Sequence, residues 1–357
     1  MNKIMMGLFL LISTILVVNH SFAEDSPTQA PCDNQVRPGF VPVDTLGVPK
    51  LNCVRDGEVK VFKLVAEEVR TRFCKAADCL PLRVWGYNGS MPGPVIEVFE
   101  GDTIRVEFEN HLPEPTTVHW HGIELPFEMD GAPFPHLMDP VPPGGKYTYE
   151  FTLIQHGTYF YHPHVMSSKQ VGLGLTGLLI VHPKIETRIV DKEYAMLLQI
   201  WKIPYGKSVP DTLEMADFNW FTINGKVAPD IPHLNVLSGE KVRVRVVNLS
   251  MLTHPIHLHG HTFTVVEEGS GWIPQSAMWQ ANTVDISAGE SRSFEFTATQ
   301  EDGPWVLHCH FLHHVMNDMD KPPLPTDPMG HESHGGMGGM HTVVDVFNPD
   351  SDDDSDE

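Results

Sequence analysis

Histidine follows a pattern in this chain of 357 residues. Four His-x-His pairs run in order: His119-Trp120-His121, His162-Pro163-His164, His257-Leu258-His259 and His308-Cys309-His310. Successive side chains of a β-strand point to opposite faces, so His-x-His on a strand aims both imidazoles to one side, where one metal ion or two would be held. A single such pair reads most simply as surface or core histidines. Four pairs, each beside strand-forming sequence, read as metal ligands.

The last pair is the most informative. His308-Cys309-His310 continues to His314 and Met319. A Cys followed at these spacings by a His and a Met closes a loop around one ion. Two His, one thiolate and a weak axial Met are the ligands of a blue-copper electron-transfer site. The second His must come from elsewhere in the chain. His254, which opens His254-Pro255-Ile256-His257-Leu258-His259-Gly260, is the candidate. Imidazole binds a metal only when neutral and Cys only as thiolate, so affinity falls in acid.

As an ordered set these motifs resemble the four copper motifs of multicopper oxidases, over most of residues 85–319. The resemblance implies cupredoxin-like domains and four copper ions per active unit. By the family's pattern His254, Cys309, His314 and Met319 hold the type 1, or blue, copper. His119 and His257 hold the type 2 ion. His121, His162, His164, His259, His308 and His310 hold the type 3 pair. Cys309 lies between two ligands of the O2-binding cluster, which gives electrons a short covalent path from one site to the other. Asp130, in Met129-Asp130-Gly131, matches the acid that follows the first motif in the family, and is assigned as the proton relay; the plainer alternative is a turn residue before Gly131. Several positions depart from the pattern. His313 competes with His314, although the spacing from Cys309 favours His314, and Met316 stands at the wrong distance for the axial role. Asp318 occupies a place where many relatives have Gly, and Leu312 and Val315 stand where three-domain relatives often have a carboxylate.

The elements that must position these residues are strands. Val95 to Phe99 and Thr103 to Phe108 cluster β-formers around the turn Glu100-Gly101-Asp102, and Lys146 to Phe151 alternates after Pro142-Pro143-Gly144-Gly145. The second half repeats the plan, with Val242 to Val247 after Ser238-Gly239-Glu240 and Ser291 to Phe296 after Ala288-Gly289-Glu290. Short strands with frequent Gly and Pro between them predict an all-β fold of two Greek-key β-sandwich domains. The histidine motifs fall at the same place in each half, an internal repeat of one domain. The division is 1–23 signal peptide, 24–54 N-terminal extension, 55–186 first domain without blue copper, and 187–347 second domain with it. The second domain carries a Met/His-rich insert at 321–341, and 348–357 is an acidic tail.

Met1 to Ala23 has a charged start, an apolar run and small residues at its end, and predicts secretion or a periplasmic location. The net charge of −22 disfavours nucleic acid or an anionic membrane as partner. Five cysteines leave one over, and Cys309 is the odd one by context. The other four allow three pairings; the near neighbours favour Cys74–Cys79, with Cys32–Cys53 as the second bridge.

Two repeats also bear on assembly. Pro163 stands in the first half where Cys309 stands in the second, so the first domain holds no blue copper. The cluster takes four His from each domain. In two-domain relatives domain 1 of one subunit meets domain 2 of the next, which implies a homotrimer with intersubunit trinuclear sites. The reductant is a small molecule such as a phenol, or alternatively Cu(I) or another metal ion, with O2 as acceptor. Met329, His331, His334, Met337, Met340 and His341 offer thioether and imidazole, which suit Cu(I). A copper nitrite reductase would carry its blue copper in domain 1 and lack the type 3 histidines, which disfavours that reading.

Overall fold

A computed structural model describes residues 32, 37–75, 79–134, 138–269, 271–298, 303–317 and 338–348. The expected leader, the axial candidate Met319, most of the Met/His-rich insert and the acidic tail from residue 349 lie outside the described residues. Among the described residues no helix is long and apolar enough to cross a membrane.

In the first half, Thr103–Asn110 alternates as its sequence requires: Ile104, Val106, Phe108 and Asn110 are buried and the residues between them are not. This strand runs parallel to Val59–Thr71 and antiparallel to Lys146–Thr152. Cys53–Asp56 and Leu82–Tyr87 complete that sheet. A second sheet of Gly93–Phe99, Gly177–His182, Gly157–His162 and His119–His121 packs over it. Phe62, Leu64 and Phe108 from one layer meet Ile96, Tyr161 and Leu179 from the other in the core.

The second half repeats this topology. Lys192–Trp201 runs parallel to Lys241–Asn248, which runs antiparallel to Glu290–Thr297. Trp220–Ile223, Phe263–Glu268 and Trp279–Ala281 extend that sheet. Facing it are Leu234–Leu237, His341–Phe347, Gly303–Cys309, His254–Leu258 and Thr283–Ile286. The last strand begins at His341, and Met340 before it is fully buried. The C-terminal end of the Met/His-rich stretch is thus part of the sandwich rather than a loop.

Register brings the histidine pairs together in the same way twice. His119 lies opposite His162 across one antiparallel pair of strands, and His257 lies opposite His308 across the other. Because the side-chain period is two, one register sets all four rings of each half on one face.

The halves are joined by an apolar patch and a polar one. Phe160, Leu178 and Ile180 pack against Ala195, Leu197 and Val247. Beside them Arg245 donates to Glu193, Glu267 and Thr158 Oγ1 at 2.5, 3.0 and 2.7 Å, and Ser291 Oγ donates to the Thr158 carbonyl at 2.6 Å. Arg243 and Arg245 are fully buried, as charges are only when paired. Cys32–Cys53 and Cys74–Cys79 are disulfides, and Cys309 is free and buried.

Candidate metal centre

Three groups of ligand atoms come together, each within 4.8 Å: His254 with Cys309 and His314, His119 with His121 and His162, and His257 with His259 and His308. The first is wholly buried. Cys309 ends the strand Gly303–Cys309, and the chain then turns into the short helix Leu312–Met316, which returns His314 to it. Cys309 Sγ lies 3.3 Å from His314 Nδ1 and 3.7 Å from His254 Nδ1. His314 stacks on Phe221 with ring centres 4.4 Å apart. His313 is exposed and meets the same Phe221 edge-on at 5.6 Å. The ring brought to Cys309 is therefore that of His314. Met316 is only partly buried.

The other two groups mirror one another. The Nδ1–H of His119 donates to the Asp130 carbonyl at 2.7 Å, and that of His257 to the Asn282 carbonyl at 2.7 Å. The Nδ1–H of His162 donates to the Pro163 carbonyl at 3.0 Å, and that of His308 to the Cys309 carbonyl at 2.8 Å. A carbonyl oxygen only accepts, so each of these rings carries its proton on Nδ1 and keeps a lone pair on Nε2 for a metal. The remaining pair members stay close: His164 is 5.3 Å from His119, and His310 is 5.6 Å from His257, between ring centres.

Burial sets the protonation of the donors. It pulls His254 and His162 down to about 3, His314 to about 2 and His121 to about 4, with neighbouring imidazoles adding to the effect. His259 and His308 are lowered for the same reasons. These rings are neutral at ordinary pH, the form that binds metal. Burial pushes the Cys309 thiol the other way, up to about 12, so metal binding there must displace a proton.

Asp130 follows the turn Phe127–Met129. Its carboxylate oxygen is 3.5 Å from His119 Nδ1. The turn itself depends on the next residue. Gly131 has φ +77, and a Cβ there would come within 1.8 Å of the Val118 carbonyl oxygen.

Sequence motifs did not single out Phe221, Asn282 or Ser250. Phe221 packs the His314 ring, and the other two meet ring nitrogens of His257 and His254. Ser250 stands in a loop with its Oγ 2.8 Å from His254 Nε2.

Comparison with known proteins agrees with this geometry. Residues 68–186 and 204–321 each match a family described as multicopper oxidase. A solved multicopper oxidase, mgLAC, is 30% identical and aligns over 81% of this chain and 86% of its own, with a TM-score of 0.69. The chain belongs to the multicopper oxidases. The structure of a blue copper oxidase from Nitrosomonas europaea is 27% identical, with a TM-score of 0.68 over 80% of this chain and 85% of that one. The multicopper oxidase MmcO of Mycobacterium tuberculosis is 32% identical over 223 residues, 53% of this chain and 43% of MmcO. Other relatives bear the names laccase and copper resistance protein. The chain spans less than half the length of these curated relatives.

Copper is the cofactor of this multicopper oxidase, and its residues fit that metal. A thiolate with two imidazoles is a soft, trigonal donor set that suits copper. Elsewhere, backbone carbonyls hold four rings with the lone pair on Nε2. Among the described residues, the two histidine sets of this multicopper oxidase remain separate groups within the chain.

Proposed function

We propose that the chain is a laccase-like oxidase, taking electrons one at a time from a phenolic or other organic reductant and reducing O2 to water. One observation carries the reading. Across His308-Cys309-His310, Cys309 turns to His254 and His314 while its two neighbours turn to His257 and His259. The electron-accepting ligands and the O2-side ligands thus share three consecutive residues at the end of one strand. Copper bound at these ligands would supply the one-electron acceptor and the O2-reducing centre. The assignment of ions is the one the motifs imply: His254, Cys309, His314 and Met319 for the blue copper, and the other histidines for three further ions. Export to a secreted or periplasmic location is part of the reading, and the two disulfides support an oxidising compartment.

A Cu(I) or other metal-ion oxidase is the second reading. What favours it is where the Met/His-rich stretch attaches. Asn317 Nδ2 donates to the Gly338 carbonyl at 2.6 Å, and Met340 N–H to the His314 carbonyl at 2.9 Å. Asn317 and Gly338, the described residues on either side, are therefore joined to one another close to His314. Since Met340 and His341 belong to the sandwich, a clean deletion removes residues 329–336 and spares Gly338. Steady-state rates with a phenol and with Cu(I), before and after that deletion, separate the readings. For a laccase-like enzyme both rates survive. A large loss confined to Cu(I) would establish the metal-ion reading instead.

We also propose a homotrimer in which the histidine set of one domain meets the other set on the next subunit. Exposed apolar residues border both sets, Met166 beside His164 and Leu312 near His310, at 62% and 72% exposure. Mixing inactive His119→Ala chains with inactive His257→Ala chains tests this. Some interfaces in a mixed trimer join two intact faces, so activity should return on reassembly. A fully active monomer in sedimentation would end the idea.

A further inference from the structure

We propose that the Ser250 hydroxyl is a positioning group that fixes the tautomer and the ring plane of His254. The inference rests on the reading of His254 as a blue-copper ligand. Ser250 Oγ lies 2.8 Å from His254 Nε2, while Nδ1 of the same ring faces Cys309 Sγ at 3.7 Å. A hydroxyl has one proton to give. The Leu252 carbonyl, 3.1 Å away and able only to accept, is the partner this proposal assigns to that proton. With its proton committed, Ser250 Oγ can only accept from His254, so the imidazole carries its hydrogen on Nε2 and leaves Nδ1 bare toward the thiol. The opposite arrangement, with the hydroxyl donating to Nε2, would place a proton on Nδ1 where the metal must bind.

The serine is itself held. Ser250 N–H donates to Asn248 Oδ1 at 3.0 Å, and Asn248 Nδ2 donates to the carbonyls of Leu252 and Ile286 at 2.7 and 2.9 Å. Asn248 and His254 are both fully buried. The other imidazole of the group has no such support. His314 Nε2 is buried without a hydrogen-bond partner among the described residues, and its ring is held by stacking on Phe221. Of the two rings, only His254 has its far nitrogen, Nε2, held by a hydrogen bond among the described residues.

An acceptor on the far nitrogen raises the basicity of a ligand imidazole and favours the more highly charged metal. Ser250 should therefore strengthen Cu(II) binding more than Cu(I) binding and hold the blue-copper potential down. Ser250→Ala should lower Cu(II) affinity by roughly 10–100-fold, the usual effect of losing such a partner. Its potential should rise by about 59 mV for each tenfold by which Cu(II) loses more than Cu(I). Ser250→Thr keeps the hydroxyl and should restore both quantities. Redox titration of the blue band and competitive copper titration measure them. Ser250→Ala with wild-type potential and affinity would overturn the proposal. Should that variant not fold, nitrogen NMR of the imidazoles in wild-type, metal-free protein gives the same answer. A proton found on Nε2 of His254 supports it, and a proton on Nδ1 overturns it. Failure of the underlying reading looks different, because a copper-loaded wild type would then show no blue band at all.

Discussion

Replacing Cys309 by Ser is expected to bleach the protein and to stop oxidation of every reductant while leaving the O2-side ligands in place. The thiol is fully buried, 3.3 Å from His314 Nδ1, and every other cysteine is in a disulfide. Intense visible absorption in a copper site of this type comes from thiolate-to-copper charge transfer, and a serine oxygen is a hard, poor ligand for such a site. His308 and His310 flank residue 309 but point to the opposite face, and the Cys309 carbonyl that holds His308 Nδ1 survives the substitution. The mutant should lose one copper per chain and all blue colour. A buried hydroxyl without a partner costs about 1–3 kcal/mol, so spectra must be read on protein shown to be folded. Cys309→Ala, without that cost, is the companion variant. Visible spectroscopy with copper counting decides the matter, and a serine mutant that stays blue shows that another residue supplies the thiolate-like band.

The parts of this site that were legible in the sequence are those with a spacing rule. His-x-His reads as two rings on one face because strands have period two, and the paired registers His119 with His162 and His257 with His308 obey it. The loop from Cys309 to His314 reads as a return to one point because a single helical turn closes it. The parts that were not legible have no residue-type signature. The Asp130, Asn282, Pro163 and Cys309 acceptors that set four tautomers are backbone carbonyls, and any residue supplies a carbonyl. Ser250 depends on a loop conformation that no short motif encodes.

The strand Lys241–Asn248 teaches a similar lesson about burial. Val242-Arg243-Val244-Arg245-Val246 alternates apolar and basic residues. Both arginines are fully buried, because their face is covered by the first sandwich and by Glu193, Glu267 and Glu295. Alternation reports which residues share a face. It does not report whether solvent or a second domain lies over that face. At the end of the insert, Met340 is drawn into the core and His341 into the last strand, positions that composition alone does not reveal.

Asp130→Asn should separate electron delivery from oxygen reduction. Reducing O2 to water consumes protons, and a carboxylate beside the O2-side ligands passes them on only if it changes protonation state. The Asp130 carboxylate oxygen is 3.5 Å from His119 Nδ1 and about a third of the side chain is open to solvent, at 32% exposure. It thus touches a ligand ring on one side and water on the other. Orientation of that ring does not depend on the carboxylate, because His119 Nδ1–H donates to the backbone carbonyl of residue 130. Nor does the tight turn, which Gly131 alone makes possible. Asparagine should therefore preserve copper content, blue colour and the rate at which substrate reduces the blue copper. Reoxidation by O2 should slow by roughly a hundredfold or more, the scale of a lost proton-transfer group. The deficit should grow as pH rises, since protons from bulk water become scarcer while the relay is absent. Stopped-flow measurement of reduction and reoxidation as separate half-reactions reads the two rates. If reoxidation in Asp130→Asn matches wild type at every pH, the carboxylate carries no protons and residue 130 serves the site only through its carbonyl.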